Sequence, residues 1–404
     1  MRTNRFVRTA RVSAAALTLS ALAAVAGADT VEVGPVPGSP VMSGLRLLMR
    51  HAAITDASAA KPYLLKLEAG VYDLRDRTLA MKPFVDIEGS GEGVTIVRST
   101  VETTGTIAGA ASAELRSLTV ENTAAVLAIA LRNDAAGFRA AHVTCRAATA
   151  GNATGIFQNS TGEVTLRSVT AHATGDDATG ISSRGGLLID SLARATAVDI
   201  AYAVFNAASN GELVNVVAEA RSDRFAGGIR NEGGAPTLRD VRAFARGASI
   251  AEGMVNGAGS GARVFGGVIH AVADSDFAVG VSNEFSSAVL QDVDVTAEAT
   301  VSAFGISSQF SGAPKVQRAT VSATAAGDGI GVLTDGGVVA TVESSSVSGD
   351  GFSVANGFGS AVTVTRVGAS RLDGPVREGS GAVRCVASYD GSFTPVDAAC
   401  VTIP

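Results

Sequence analysis

A period of about 25 residues runs down most of this chain, and a repeat of that length with no room for a helix admits few folds. One unit reads apolar-x-x-apolar-x-small-x-small: Leu166 to Ala173, Leu213 to Ala220, Leu238 to Ala245, Leu290 to Ala297 and Val316 to Ala323. Looser copies start at Leu115, Phe138, Ile189, Phe265, Val342 and Val364. A second unit, small-apolar-x-Asn/Ser/Thr, follows the first by about 16 residues. Its last residue is Asn133, Ser183, Asn206, Asn231, Asn256, Asn283 or Ser308, and Asn356 joins the same series.

The residue types choose among solenoids. Short β-branched and Ala-rich runs, cut by Gly, Asn, Asp and Ser, sustain no helical periodicity over ~10 residues. Helical repeats are excluded, and the Leu-x-x-Leu-x-Leu signature of leucine-rich repeats is missing. The pattern predicts an all-β chain, a single-stranded right-handed parallel β-helix of about 10 to 12 coils, with equivalent residues stacked in ladders. At about 4.8 Å per coil, ten coils make a rod roughly 50 Å long. Small Ala and Gly suit a narrow lumen. The column Asn133, Asn206, Asn231, Asn256, Asn283 and Asn356 is read as a structural turn ladder of stacked amides.

The ends carry their own signals. Residues 1–28 join four arginines, Arg2, Arg5, Arg8 and Arg11, to an apolar run and the small residues Ala26-Gly27-Ala28, the pattern of a secretory signal peptide cleaved before Asp29. The expected location is secreted, periplasmic or cell-surface, with no membrane insertion after cleavage. Residues 29–60 are expected to form a linker and an N-terminal capping helix whose Leu45, Leu48 and Met49 share a face; 61–382 form the β-helix; 383–404 form a C-terminal loop. There Cys385 and Cys400 suit a disulfide in an oxidising compartment, and Cys145 is left as a buried thiol.

Composition narrows the partners. With 46% hydrophobic and 17% charged residues the chain must bury a large core. Residues 1–28 hold four of the 32 Lys and Arg and none of the 38 Asp and Glu, so removing them takes the formal charge from −6 to −10, which disfavours nucleic acid and anionic membranes. A polysaccharide or cell-surface glycan remains as a partner; the oligomeric state is not fixed.

The stretch from Pro62 to Thr100, with its Gly70-Val71-Tyr72 turn and Gly89-Ser90-Gly91-Glu92-Gly93 segment before an apolar strand, resembles the first coils of pectin-lyase-like right-handed β-helix proteins. The resemblance implies either an enzyme of acidic polysaccharides or a non-catalytic relative. Of the polygalacturonase motifs, Asn-Thr-Asp, Asp-Asp, Gly-His-Gly and Arg-Ile-Lys, the chain has only Asp176-Asp177. The Gln-Asp-Thr-Leu and Asp-Phe-Ile-Phe-Gly stretches of pectin methylesterases and the Arg-x-Pro-x-x-Arg segment of lyases are missing.

Two sets of residues are candidates on their chemistry. Asp176, Asp177, Asp199, Asp276, Asp328 and Asp350 precede the second unit by four or five residues, so they are expected along one corner, where Asp176, Asp199, Asp276 and Asp328 could hold calcium. Arg116, Arg139, Arg167 and Arg239 share the second position of the first unit and could clasp uronate carboxylates. Asp176, Asp177, Arg167 and Arg239 are therefore the candidate catalytic residues, against the plainer readings of solvated turns and a solubilised strand face. His51, His142, His172 and His270 show no metal-ligand spacing, and no cofactor other than calcium is indicated. Phe285 and Phe310 occupy matching places just past the turn residues. The favoured reading is an exported, non-catalytic structural, adhesive or polysaccharide-associated module. The alternative is a divergent polysaccharide lyase or glycoside hydrolase, and a calcium-stabilised rod is a third possibility.

Overall fold

The computed structural model describes residues 28–357 and 362–403, so the segment read as a signal peptide lies, but for Ala28, outside the described residues. The chain winds into an all-β parallel solenoid of about 12 turns, with a single helix among the described residues. Three parallel ladders run along it. In the first, Leu65, Ile87, Leu115, Ala140, Leu166, Leu188, Leu213, Leu238, Val264, Leu290 and Val316 stand in one inward column. The five well-formed copies of the first unit all start in this column. Four looser ones do not: Phe138, Ile189, Phe265 and Val364 lie one to three places from their column residues Ala140, Leu188, Val264 and Val367. At Ala140 and Val264 a bulkier nearby residue, Phe138 or Phe265, imitates the column residue in the sequence. The expected arginine column is corrected accordingly: Arg139 stacks on Glu114 and Thr165, two places from Arg116 and Arg167.

A single residue at positive φ turns the chain from the first ladder into the second, seen at Ser168, Asp190, Asn215, Asp240, Asp292 and Arg318. Short polar side chains dominate there because they tolerate the left-handed region. Beyond this corner the lumen narrows to alanine, with Ala171, Ala193, Ala218 and Ala243 fully buried in one column. Larger side chains at these positions would hold the sheets apart. The third ladder ends on the turn column. Asn206 Nδ2 donates to Asn231 Oδ1 at 2.8 Å, Asn231 to Asn256 at 2.8 Å, Asn256 to Asn283 at 2.9 Å, and Asn283 to Ser308 Oγ at 3.1 Å. Asn133 reaches Gln158 Oε1 at 3.4 Å, and Asn356 stands one coil past Thr334 in the same column.

The helix Pro40–Ala53 lies across the first coil, but not on the expected face. Leu47 is fully buried, whereas Leu45 is 37% and Met49 64% exposed, and Leu48 is half-buried. The helix axis is set by Gly44, where a Cβ would stand 2.1 Å from the carbonyl oxygen of Asp73, so only glycine permits this approach and Leu47 is the residue it turns inward. Lys82 Nζ donates to the carbonyls of His51, Ala52 and Ile54 at 2.9, 3.1 and 2.5 Å, closing the helix C-terminus. Burial, with Lys82 beside it, lowers the His51 imidazole to about 4. The strand Asp29–Val33, within the segment read as linker, stacks in parallel on Tyr63–Leu67 and extends the first ladder. At the far end the Cys385 and Cys400 sulfurs are bonded at 2.08 Å, and Tyr389–Asp390, within the loop they close, continues the second ladder. Cys145 is buried in the lumen.

Candidate active site

The candidates read from the sequence are spread along the rod. Arg239 pairs with Glu212 at 2.9 Å and lies over the Phe265 ring; Arg116 pairs with Glu88 at 2.7 Å; Arg167 is exposed, two coils from Arg116. Ion pairs between successive coils recur over the surface, as in Arg194 with Glu219 and Arg318 with Asp292, both at 2.7 Å. Most of these arginines therefore tie coil to coil. Asp199 is held by Arg224 at 2.7 Å, Asp276 accepts from Ser249 at 2.8 Å, and Asp176 and Asp328 are exposed. Asp177 and Asp328 share a column, but Ile200, Phe225, Ile250, Phe277 and Ser302 stand between them. Among the described residues no three His, Cys, Asp or Glu side chains converge as a metal site would require.

A different group does converge, on the outer face of the third ladder. Tyr202, Gly227 and Glu252 occupy one column on three successive coils, and Phe205, Arg230, Val255 and Ser282 occupy the column three places on. The tyrosine ring leans over Gly227, where a Cβ would stand 2.7 Å from its edge carbons. Glycine thus opens the gap through which the phenol reaches the next coil. Arg230 Nη1 donates to the Tyr202 hydroxyl at 2.7 Å, and Arg230 Nε donates to Glu232 at 2.7 Å, so two partners fix the orientation of the guanidinium. Phe205 and Phe225 flank the Tyr202 ring at 5.8 and 5.6 Å.

Burial governs the charges of this cluster. Desolvation, reinforced by the carboxylate of Glu284 and opposed by Arg230 and a hydrogen bond from Ser282, raises the Glu252 carboxyl to about 7. Desolvation also raises the Tyr202 phenol, against the pull of Arg230. At neutral pH the phenol is therefore a proton donor, while Glu252 stands midway between acid and base. An open cleft of about 650 Å³ lies elsewhere, on the corner between the first and second ladders, lined by Glu92, His142, Asp190, Arg194 and Arg242. There Arg194 is committed to Glu219 and Asp190 to Asn215. The cleft brings together no phenol, guanidinium and shifted carboxyl.

No family model and no curated protein matches the chain by sequence. Solved structures do. The Azotobacter vinelandii mannuronan C-5 epimerase AlgE4 A-module superposes with a TM-score of 0.52 at 15% identity, over 90% of this chain and 100% of that one. The fold is that of the pectin-lyase-like parallel β-helices. The AlgE6 A-module of the same organism gives 0.49 at 14% identity over 84% and 95%. The catalytic domain of a GH87 alpha-1,3-glucanase in complex with tetrasaccharides gives 0.42 at 10% over 88% and 66%. The first of these corrects the expectation of a non-catalytic module, because the AlgE4 A-module, matched over its whole length, is itself a mannuronan C-5 epimerase. The expectation rested on the failure of local motifs. Tyr202, Arg230 and Glu252 lie 28 and 22 residues apart and meet only because coils stack, so no contiguous motif contains them. The signal that was present is positional: in the second unit Gly228-Ile229-Arg230-Asn231, an arginine stands where most copies place Ser, Val or Phe.

Proposed function

We propose that this chain is an enzyme acting on an acidic polysaccharide, and that Tyr202, Arg230 and Glu252 carry out proton transfer beside a uronate carboxylate. The observation that carries the reading is the convergence, on one outer face, of a carboxyl raised to about 7 with a phenol held at 2.7 Å by a guanidinium. The ionised Glu252 takes the proton next to the sugar carboxylate. The C–H electron pair moves into that carboxylate, whose growing charge Arg230 faces. Return of a proton from Tyr202 to the same carbon inverts it. Expulsion of the glycosidic oxygen, protonated by Tyr202, cleaves the chain and leaves an unsaturated end. Glu284 beside Glu252 supports a second reading, a hydrolase with two carboxylates.

Incubation with polymannuronate and polygalacturonate in D2O separates the routes. Proton transfer gives unsaturated ends or deuterium at the abstracted position, and hydrolysis gives reducing ends with neither. No product from any uronate polymer overturns the enzyme reading. E252Q should lower kcat by at least about a hundredfold, the range of a lost general base.

Export through residues 1–28 belongs to the same proposal. Cleavage before Asp29 would leave the strand Asp29–Val33 whole, and the Cys385–Cys400 pair accords with an oxidising compartment. N-terminal sequencing of exported protein should begin at Asp29; an intact Met1 in the medium would contradict it.

A further inference from the structure

Two residues past the turn column, several coils turn the chain through the left-handed region. The turning residue is Ala208 at φ 49°, Gly233 at 65°, Ala258 at 49° and Gly336 at 67°, all small. Two successive coils depart from this rule, with Phe285 at φ 51° and Phe310 at 69°. A bulky side chain at positive φ is strained, and these two gain little burial in return: they are 56% and 52% exposed. Their rings stack at 5.0 Å between centroids and 17° between planes, forming one flat apolar step. Phe285 N donates to Gln309 O at 3.2 Å, which fixes the two turns to each other. The step adjoins the proposed site, because Phe285 follows Glu284, the carboxylate whose charge reaches Glu252.

We infer that Phe285 and Phe310 form a stacking subsite for a pyranose ring of a polysaccharide chain lying along the rod axis, and the inference rests on the proposed function. From Tyr202 to Phe310 the surface descends four coils, about 19 Å at the coil spacing, room for several sugars. Ser287, Ser311 and Ala313 around the rings are small and exposed, so a flat ligand with an apolar face and polar edge can approach. A protein partner needs roughly 800 Å² of complementary surface per side, far more than two rings offer.

The experiment compares wild type with F285A/F310A, which repeats the alanine found at Ala208 and Ala258 and so keeps the turn, with thermal melting as a check on the fold. Gel retardation by immobilised polymannuronate or polygalacturonate and the KM for the polymer are the readouts. The double variant should lose affinity about tenfold, with kcat on saturating polymer nearly unchanged, and F285W/F310W should retain binding. If wild type turns the polymer over and the double variant keeps its KM, the subsite is overturned while the enzyme reading stands. If wild type is retarded without forming product and the double variant is not retarded, the subsite stands and the enzyme reading falls. A double variant that changes only the oligomeric state overturns the subsite in favour of self-association.

Discussion

At the scale of single residues, Glu252 couples the site to the fold. Its carboxyl titrates higher in the folded chain, about 7, than at the ordinary 4.5, so folding favours the neutral form. That contribution is whole below the unfolded value and is lost as pH rises through about 7. E252Q, which carries no charge, should therefore be more stable than wild type at pH 8 by an amount of order 2 kcal/mol and converge with it near pH 4, as read by melting across that range. Wild-type turnover should rise through pH 7 as the base ionises. Equal stability of the two proteins at both pH values would contradict the raised carboxyl. A stabilising loss of function marks a site held against the preference of the fold.

The turn ladder sets the register of the third-ladder strands. Asn231 accepts from Asn206 and donates to Asn256, both at 2.8 Å, in the buried interior. Asn231→Ala strands a buried donor above and a buried acceptor below, and should cost about 2 to 4 kcal/mol in chemical denaturation. Asn231→Ser repeats the contact that Ser308 makes with Asn283 and should cost clearly less. A loss under 1 kcal/mol for the alanine would show that the amides do not stabilise the stack. The ladder was legible in the sequence because every rung is polar and the rungs recur at intervals close to 25 residues. The first-ladder column was legible only in part: Phe138 and Phe265 imitate it while Ala140 and Val264 fill it.

At the scale of the whole molecule, the rod must close its ends against unpaired strand edges, and the helix Pro40–Ala53 does this at the N-terminal end. Leu47→Ala should cost about 2 to 5 kcal/mol through the cavity it leaves, while Leu45→Ala, at an exposed position, should change stability by less than about 0.5 kcal/mol. Equal effects in equilibrium unfolding would return the helix to the face that its hydrophobic spacing suggests. Spacing alone misplaced it because Leu45, Leu47, Leu48 and Met49 offer two apolar stripes, and the close approach at Gly44 selects one of them.

By itself, the sequence determined the solenoid, its parallel stacking, its small-residue lumen and its polar turn column, since each recurs in most coils and recurrence is visible at an interval of about 25 residues. The tertiary structure alone decided the candidate site. Tyr202, Arg230 and Glu252 stand at variable positions of the repeat, as Arg132 in the column of Arg230 shows, and they carry no meaning until stacking brings the three onto one face. It also decided which carboxyl holds a proton at neutral pH, because that depends on how much water the neighbouring coils exclude from Glu252 and on the charge that Glu284 places beside it.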